Sequence, residues 1–402
     1  MKTFGMKTVI HFGDNALDRL REIPYKRVLI ITDPFVVQSK MIDLITEPLA
    51  KGGIEYDIFS NVVPDAPVDK IADGVKKFLS YQPEAVIAVG GGSAIDSSKA
   101  IREFALKINN YGKVGLIAVP TTSGTGSEVT SFAVVNDTEA KVKYPLVSPD
   151  LTADEAILDA ELVKSVPPAI TADTGMDVLT HAIEAYVSNM ASDYTDGLAL
   201  NAIKLVFNYL PRAYKDGSDV EARQHMANAS CMAGMAFANA FLGVNHSLAH
   251  KLGAFHHLPH GIANALVLLH VLRYNAAEVP AKMGTFPQYQ YPHTLARYAE
   301  IGRSVGLTGK NDSEVFEKLL QKLQELMDTI EIKHTIKEYG VDEKYFLETL
   351  DEMTEQAFND QCTGANPRYP LMSELKEIYL KAYYGEGNVP ESRKAEEKKE
   401  AK

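Results

Sequence analysis

Four short apolar runs in the first 120 residues, each separated from the next by a stretch of helical periodicity, do most to narrow what this chain can fold into. They occupy residues 27–32 (RVLIIT), 55–60 (EYDIFS), 84–90 (EAVIAVG) and 114–120 (VGLIAVP), with amphipathic stretches near 36–51, 67–81 and 93–107. A strand that is apolar at nearly every position is buried on both faces, and intervening helices make neighbouring strands parallel. The expectation is an α/β domain over residues 1–160, Rossmann-like, with a parallel sheet covered on both sides. Ligands of such sheets gather at the carboxyl ends of the strands.

Past about residue 155 the strand signals fade. Helical patterns follow one another at 173–189, 193–213, 219–242, 245–254, 261–273, 293–305, 312–328, 342–356 and 372–383. This half reads as an all-α domain over 161–388, with a hinge near 150–170, where SPDLTADEA and SVPPAIT bring prolines and cap residues together. Residues 285–293 (TFPQYQYPH) read as a connecting excursion. The last residues, 389–402, form a charged low-complexity tail expected to be disordered. A length of 402 residues suits two cores better than one.

Net charge is -12, the pI is near 5.5, and no basic block stands out. That argues against nucleic acid or an anionic membrane as a partner. The N-terminal residues lack the apolar core of a signal peptide, and the longest apolar run, 231–243, is too short to span a bilayer. Two cysteines, Cys231 and Cys362, cannot build a disulfide framework or a thiolate metal site. A cytoplasmic location is expected.

Two strand ends carry unusual loops. Gly90, Gly91, Gly92 and Ser93 open the helical stretch AIDSSKAI; glycines allow close approach of the backbone, and free N–H groups at a helix start favour a phosphate. The second loop, PTTSGTGSE (residues 120–128), is rich in hydroxyl donors. Neither matches the usual dinucleotide or Walker fingerprint, but each follows an apolar strand, and together they point to a nucleotide. Asp33 follows RVLIIT, where an acid can accept from a ribose diol and would repel a 2′-phosphate, favouring NAD over NADP. Its bland reading is a cap before Pro34.

In the second half Asp177 and His181 stand four apart in a helical stretch, and so share a face. Six of the eleven histidines then fall between His246 and His270. A carboxylate plus neutral imidazoles is the ligand set of a divalent first-row metal. Spacing alone pairs His246 with His250 and allows His260 to turn back to the same point; His256, His257 and His270 are weaker candidates. No HExxH motif is present, so a metallopeptidase has little support.

With these residues in view, the chain resembles the iron-containing (group III) alcohol dehydrogenases through GGGSAIDSSKA, PTTSGTGSEVT, GMDVLTHAIEAY, NHSLAHKLGAFHHLPHGIANA and CTGANPR. FANAFLGVNHSLAHKLGAFHHLPHG and FPQYQYP look most like the alcohol dehydrogenase half of bifunctional aldehyde–alcohol dehydrogenases and like stand-alone 1-propanol and ethanol dehydrogenases. The resemblance implies a metal, Fe2+ with Zn2+ as an option, held by Asp177, His181, His246 and His260. It places His250 beside the nicotinamide and not among the ligands, and the expected mechanism gives His250 the relay of the alkoxide proton toward solvent. It also puts Gly91, Gly92, Ser93, Thr121, Thr122 and Thr125 on the cofactor, with Asp33 as the NAD-selecting acid and Asp65 and Lys143 nearby.

The implied reaction is reversible, NADH-dependent reduction of a short aliphatic aldehyde to a primary alcohol, with the metal as Lewis acid. Phe237, Phe241, Phe255 and Leu258 would furnish an apolar pocket, and Cys362 would line the site without acting as a nucleophile. The implied assembly is a homodimer or higher homo-oligomer, with association with a bacterial microcompartment as an option. The rivals are a zinc polyol dehydrogenase or dehydroquinate synthase-like lyase of the same fold, or an assembly subunit.

Overall fold

Each apolar run becomes a strand because its side chains find a hydrophobic layer on either face. In the computed structural model, which describes residues 3–109, 112–137, 142–277 and 293–390, the strands are β1 (Val9–Phe12), β2 (Arg27–Thr32), β3 (Glu55–Phe59), β4 (Ala85–Gly90), β5 (Gly115–Pro120), β6 (Phe132–Asp137), β7 (Val142–Val147) and β8 (Glu155–Leu158). Six form one sheet in the order β1-β8-β5-β4-β2-β3, with every neighbouring pair parallel. β6 and β7 make a separate antiparallel pair.

Helices α1 (Pro34–Gln38), α2 (Asp43–Lys51), α3 (Val68–Tyr81) and α4 (Gly92–Asn109) cover the sheet. Alternate residues of β2 go to opposite layers. Leu29 and Ile31 pack with Ile71 and Phe78 of α3 and Ile101 of α4. Val28 and Ile30 pack with Val36 of α1 and Ile45 and Leu49 of α2. The stretch read as one helix over 36–51 is two, because Lys40 takes a left-handed φ of 62° between α1 and α2. β3 lies outside β2 while β4 lies on its other side. The chain therefore reverses its winding between β2 and β4, the place where such sheets bind ligands.

The remaining helices are α5 (Pro168–Val187), α6 (Asp193–Lys215), α7 (Val220–Ala240), α8 (Val244–His256), α9 (His260–Ala276), α10 (Thr294–Ser304), α11 (Asp312–Thr329), α12 (Glu343–Phe358) and α13 (Met372–Tyr384). The architecture is thus the expected one, a parallel-sheet domain followed by a helical one. By internal contacts the chain divides into Met1–Pro167 with Asp216–Ala238, and Pro168–Lys215 with Asn239–Lys402. This differs from the boundary expected at 160/161: the break falls between two prolines, and most of α7 belongs to the sheet unit. Small residues explain the second point. A Cβ on Gly234 of α7 would lie 2.8 Å from the Gly126 carbonyl oxygen, so helix and loop touch backbone to backbone. Strand β8, at the point where strand signals fade in the sequence, is only four residues long, and the excursion and tail lie outside the described residues apart from His293 and residues 389–390. Among the described residues, no single helix is long and apolar enough to cross a membrane.

Candidate metal and cofactor sites

Helix α5 begins on Pro168, whose fixed φ suits a first helical position, and is buried at every residue from Gly175 to Val187. Polar side chains enclosed in this way need partners. Asp177 and His181, one turn apart on α5, meet His246 from α8 and His260 from the first turn of α9. Asp177 Oδ1 lies 3.7 Å from His181 Nε2, 3.6 Å from His246 Nε2 and 3.4 Å from His260 Nε2. Four ligands around one ion with bonds of about 2.1 Å lie about 3.4 Å apart, so these side chains fit a first-row divalent cation. Among the described residues no other histidine joins them, and all four residues belong to the helical unit.

A second set of groups aims the cluster. His246 Nδ1 donates to Glu184 Oε2 at 2.5 Å, which leaves Nε2 facing Asp177. Glu184 Oε1 accepts from the Asn245 N–H at 2.7 Å. Asn245 Nδ2 donates to Asn264 Oδ1 at 3.0 Å, and Asn264 Nδ2 donates to Asp177 Oδ1 at 3.0 Å. These contacts close a loop from Asp177 back to His246 through groups that are almost wholly buried. Sequence reasoning missed Glu184, Asn245 and Asn264. Glu184 was findable, since it stands seven residues from Asp177 and three from His181 on the same helix face.

Charge within the cluster follows from this enclosure. Burial works against the Asp177 carboxylate, but His181, His260 and His246 hold its pKa well below the ordinary value. Burial pushes His181 down to about 3, with Asp177 opposing. Burial would also lower His246, yet the Glu184 carboxylate outweighs it and raises the group to about 9.

His250, paired with His246 by spacing, takes a different place. Its ring stacks on His260 with centroids 5.5 Å apart, while Nδ1 lies 3.1 Å from Asp360 Oδ2. Lys251 Nζ donates to the same oxygen at 2.9 Å. Burial would raise the Asp360 carboxyl, but its contacts with His250 and the Lys251 ammonium hold it well below its usual range. Cys362 is buried beside them, and burial pushes its thiol up, consistent with a structural thiol rather than a nucleophile. His256 bonds Thr349 and packs on Tyr345 and Phe346, and His270 is pushed down to about 4 by burial; neither reaches the cluster.

In the sheet unit the two loops meet at the strand ends. Gly90 adopts φ 146°, and a Cβ there would lie 2.5 Å from Ala94 and 3.2 Å from Asp33 Oδ2, so the turn demands glycine. A Cβ on Gly92 would lie 2.8 Å from Thr125, and one on Gly91 3.3 Å from Thr122. The Thr121 N–H donates to the Gly90 carbonyl at 3.0 Å. Asp33 Oδ1 accepts from the Val36 N–H at 3.1 Å, so this residue is the cap of α1 and still presents its other oxygen toward Gly90. Asp65, left-handed at φ 66°, donates its N–H to Ser93 Oγ at 3.2 Å. Lys143 lies in β7, and its side chain is outside the described residues.

Two residues outside the predicted set hold the second loop. Lys99 Nζ donates to the carbonyls of Ser127, Thr130 and Phe132 at 2.6, 2.9 and 2.7 Å. Asp96 accepts from Ser127 Oγ at 2.6 Å and from the Val134 N–H at 3.0 Å. Both lie in the recognised GGGSAIDSSKA segment.

The parallel-sheet unit with its paired glycine and hydroxyl loops and the helical unit with its carboxylate and three imidazoles correspond to the two parts of one family. Residues 7–160 match the iron-containing alcohol dehydrogenase family, and residues 171–383 match the C-terminal part of the same family. The chain belongs to the iron-containing alcohol dehydrogenase family. It is 46% identical over 399 residues to the bifunctional aldehyde-alcohol dehydrogenase AdhE of Escherichia coli K12, covering 93% of this chain and 45% of that protein. The chain thus spans about half the length of the bifunctional relatives it matches. It is 37% identical over 402 residues to the NADPH-dependent butanol dehydrogenase of Clostridium saccharobutylicum, covering 96% of this chain and 99% of that one. The iron-containing alcohol dehydrogenase of Thermococcus thioreducens superposes with a TM-score of 0.86 at 33% identity, covering 96% of this chain and all of that one.

Proposed function

We propose that this chain catalyses NADH-dependent, reversible reduction of short aliphatic aldehydes to primary alcohols, with Asp177, His181, His246 and His260 holding a divalent metal. The observation that carries the reading is the approach of one carboxylate oxygen to three imidazole nitrogens at 3.4–3.7 Å. A bound Fe2+ or Zn2+ would supply a Lewis acid that polarises a carbonyl oxygen and lowers the pKa of a hydroxyl. Glu184 keeps the His246 proton on Nδ1, so that Nε2 offers its lone pair to the ion. Asn264 holds Asp177 Oδ1 in register with the imidazoles. His250, with Nδ1 turned to Asp360, has Nε2 as the atom to pass a proton between substrate and solvent. Gly91, Gly92, Ser93, Thr121, Thr122 and Thr125 would hold the pyrophosphate, with Asp33, Asp65 and Lys143 near the ribose.

The names of the relatives, one an aldehyde-alcohol and one a butanol dehydrogenase, support a small aldehyde or alcohol as substrate. A homo-oligomer in the cytoplasm completes the reading. Protein purified without oxygen would be assayed for bound metal and for oxidation of NADH and NADPH with acetaldehyde, propanal and butanal. Near-stoichiometric metal and aldehyde-dependent NADH oxidation are expected. Metal at trace level together with no turnover on any aldehyde would end the proposal.

A further inference from the structure

Helix α9, which delivers His260, starts without a cap of its own. Its N-cap is Pro259, which has no side-chain hydrogen-bonding group. The N–H groups of a first helical turn have no acceptor within the helix, and here a different helix supplies one. Asp173 of α5 accepts the Ile262 N–H through Oδ1 at 2.8 Å, and the Gly261 N–H bears on the same carboxylate. The approach is close: a Cβ on Gly261 would lie 1.8 Å from the Asp173 carbonyl oxygen. Only glycine lets the start of α9 press against the α5 backbone, and His260 is the residue immediately before it.

Asp173 also continues a stripe. Residues 173, 177, 181 and 184 follow one another at spacings of four, four and three, within an arc of about 80° on a helix turning 100° per residue. Three members of the stripe serve the metal cluster, as ligands or, in Glu184, as the partner of a ligand. His260 is the member of the cluster that packing holds least. Its side chain is 42% exposed, against 5% for Asp177, 6% for His181 and 1% for His246. Enclosure fixes the other three, whereas His260 rests on its ring contacts with His246 and His250, on Asn264 Nδ2 at 3.4 Å, and on the placement of its backbone.

We infer that Asp173 is the positioning residue for His260, capping α9 from α5 so that the imidazole reaches Asp177 and completes the four-ligand set. The inference rests on the metal reading above. It requires that Asp173 act through His260 and through nothing else in the cluster.

The test is a zinc titration of metal-stripped protein against a chelating indicator, alongside thermal unfolding of the metal-free forms. Asp173→Ala is expected to weaken zinc binding tenfold or more, in the range usual for groups that orient metal ligands. Asp173→Asn keeps an acceptor oxygen and is expected to stay within threefold of the parent. In an H260A background, Asp173→Ala should change the affinity less than twofold, since the group through which it acts is gone. Ile262→Pro removes the same hydrogen bond from the donor side at a position where proline is tolerated, and is expected to reproduce the tenfold loss should Asp173→Ala not fold. Parental affinity in both D173A and I262P overturns the inference, as does an equal loss from D173A with and without His260. A parent chain that binds no zinc removes the metal reading itself, whereas a binding parent with indifferent variants removes only the role of Asp173.

Discussion

A glutamate enclosed in a helix is costly unless its charge is answered, and Glu184 is answered by His246 Nδ1 and the Asn245 N–H. Glu184→Gln keeps the size of the side chain and removes the charge that fixes the imidazole. Metal affinity is expected to fall by roughly 10–100-fold, read by competition with a chelator. The same contact sets a pH dependence. With His246 raised to about 9 in the metal-free protein, the proton on Nε2 competes with metal at every lower pH. Affinity should therefore climb by about tenfold per pH unit between pH 7 and 9 and then level, and the slope should flatten in Glu184→Gln. A flat profile in the parent would contradict this. Asp33 carries the other prediction at this scale. Asp33→Ala should raise kcat/KM for NADPH relative to NADH, because a carboxylate that repels a 2′-phosphate is removed. Losing the cap of α1 should cost about 1 kcal/mol of stability, measured by denaturant unfolding. The NADPH-dependent relative makes this ratio the informative quantity. At this scale the four clustered residues were legible through resemblance. Spacing alone had favoured His246 with His250, because a four-residue interval reports a shared face but not what that face meets.

Elements bring these side chains into place, and the loop from Thr121 to Thr130 depends on α4. Lys99 is wholly enclosed and spends its ammonium on three backbone carbonyls of residues 127–132. Lys99→Met would leave those carbonyls and the Asp96 carboxylate without their cation, a loss of about 3 kcal/mol for a buried charge network. The variant is expected to unfold at a lower temperature and to bind NADH more weakly, while zinc affinity, set in the helical unit, stays at the parental level. Equal loss of both ligands would show that the clamp is not local to the loop. The parallel strands were plain in the sequence because burial on both faces leaves no polar positions. The break between α1 and α2 was not, since it turns on one left-handed lysine, a residue type that gives no such warning. β8 was hidden by its length, and its register is supplied by β5 and β1 rather than by any pattern of its own.

For the whole molecule, the division into a sheet unit and a helical unit assigns each proposed ligand its own core. The glycine and hydroxyl loops lie on strands whose neighbours are all within Met1–Pro167, and the four clustered residues lie on helices of Pro168–Lys215 and Asn239–Lys402. Amphipathic periodicity announced two grammars correctly. It could not announce that α7 belongs with the sheet, because an alanine-rich helix that makes its close backbone contact at one glycine, Gly234, shows little amphipathic pattern. Ligands that bind only the native state stabilise the segments they tie together. Metal removal is therefore expected to speed amide hydrogen exchange in α5, α8 and the first turn of α9, with β2, β4 and β5 unchanged. NADH should instead protect residues 90–93 and 120–127. The two patterns follow from where the groups stand in the chain. If chelation loosened the central strands as much as it loosened α8 and α9, the metal would have to be held by side chains other than those of the helical unit, and the assignment of Asp177, His181, His246 and His260 would not survive the measurement.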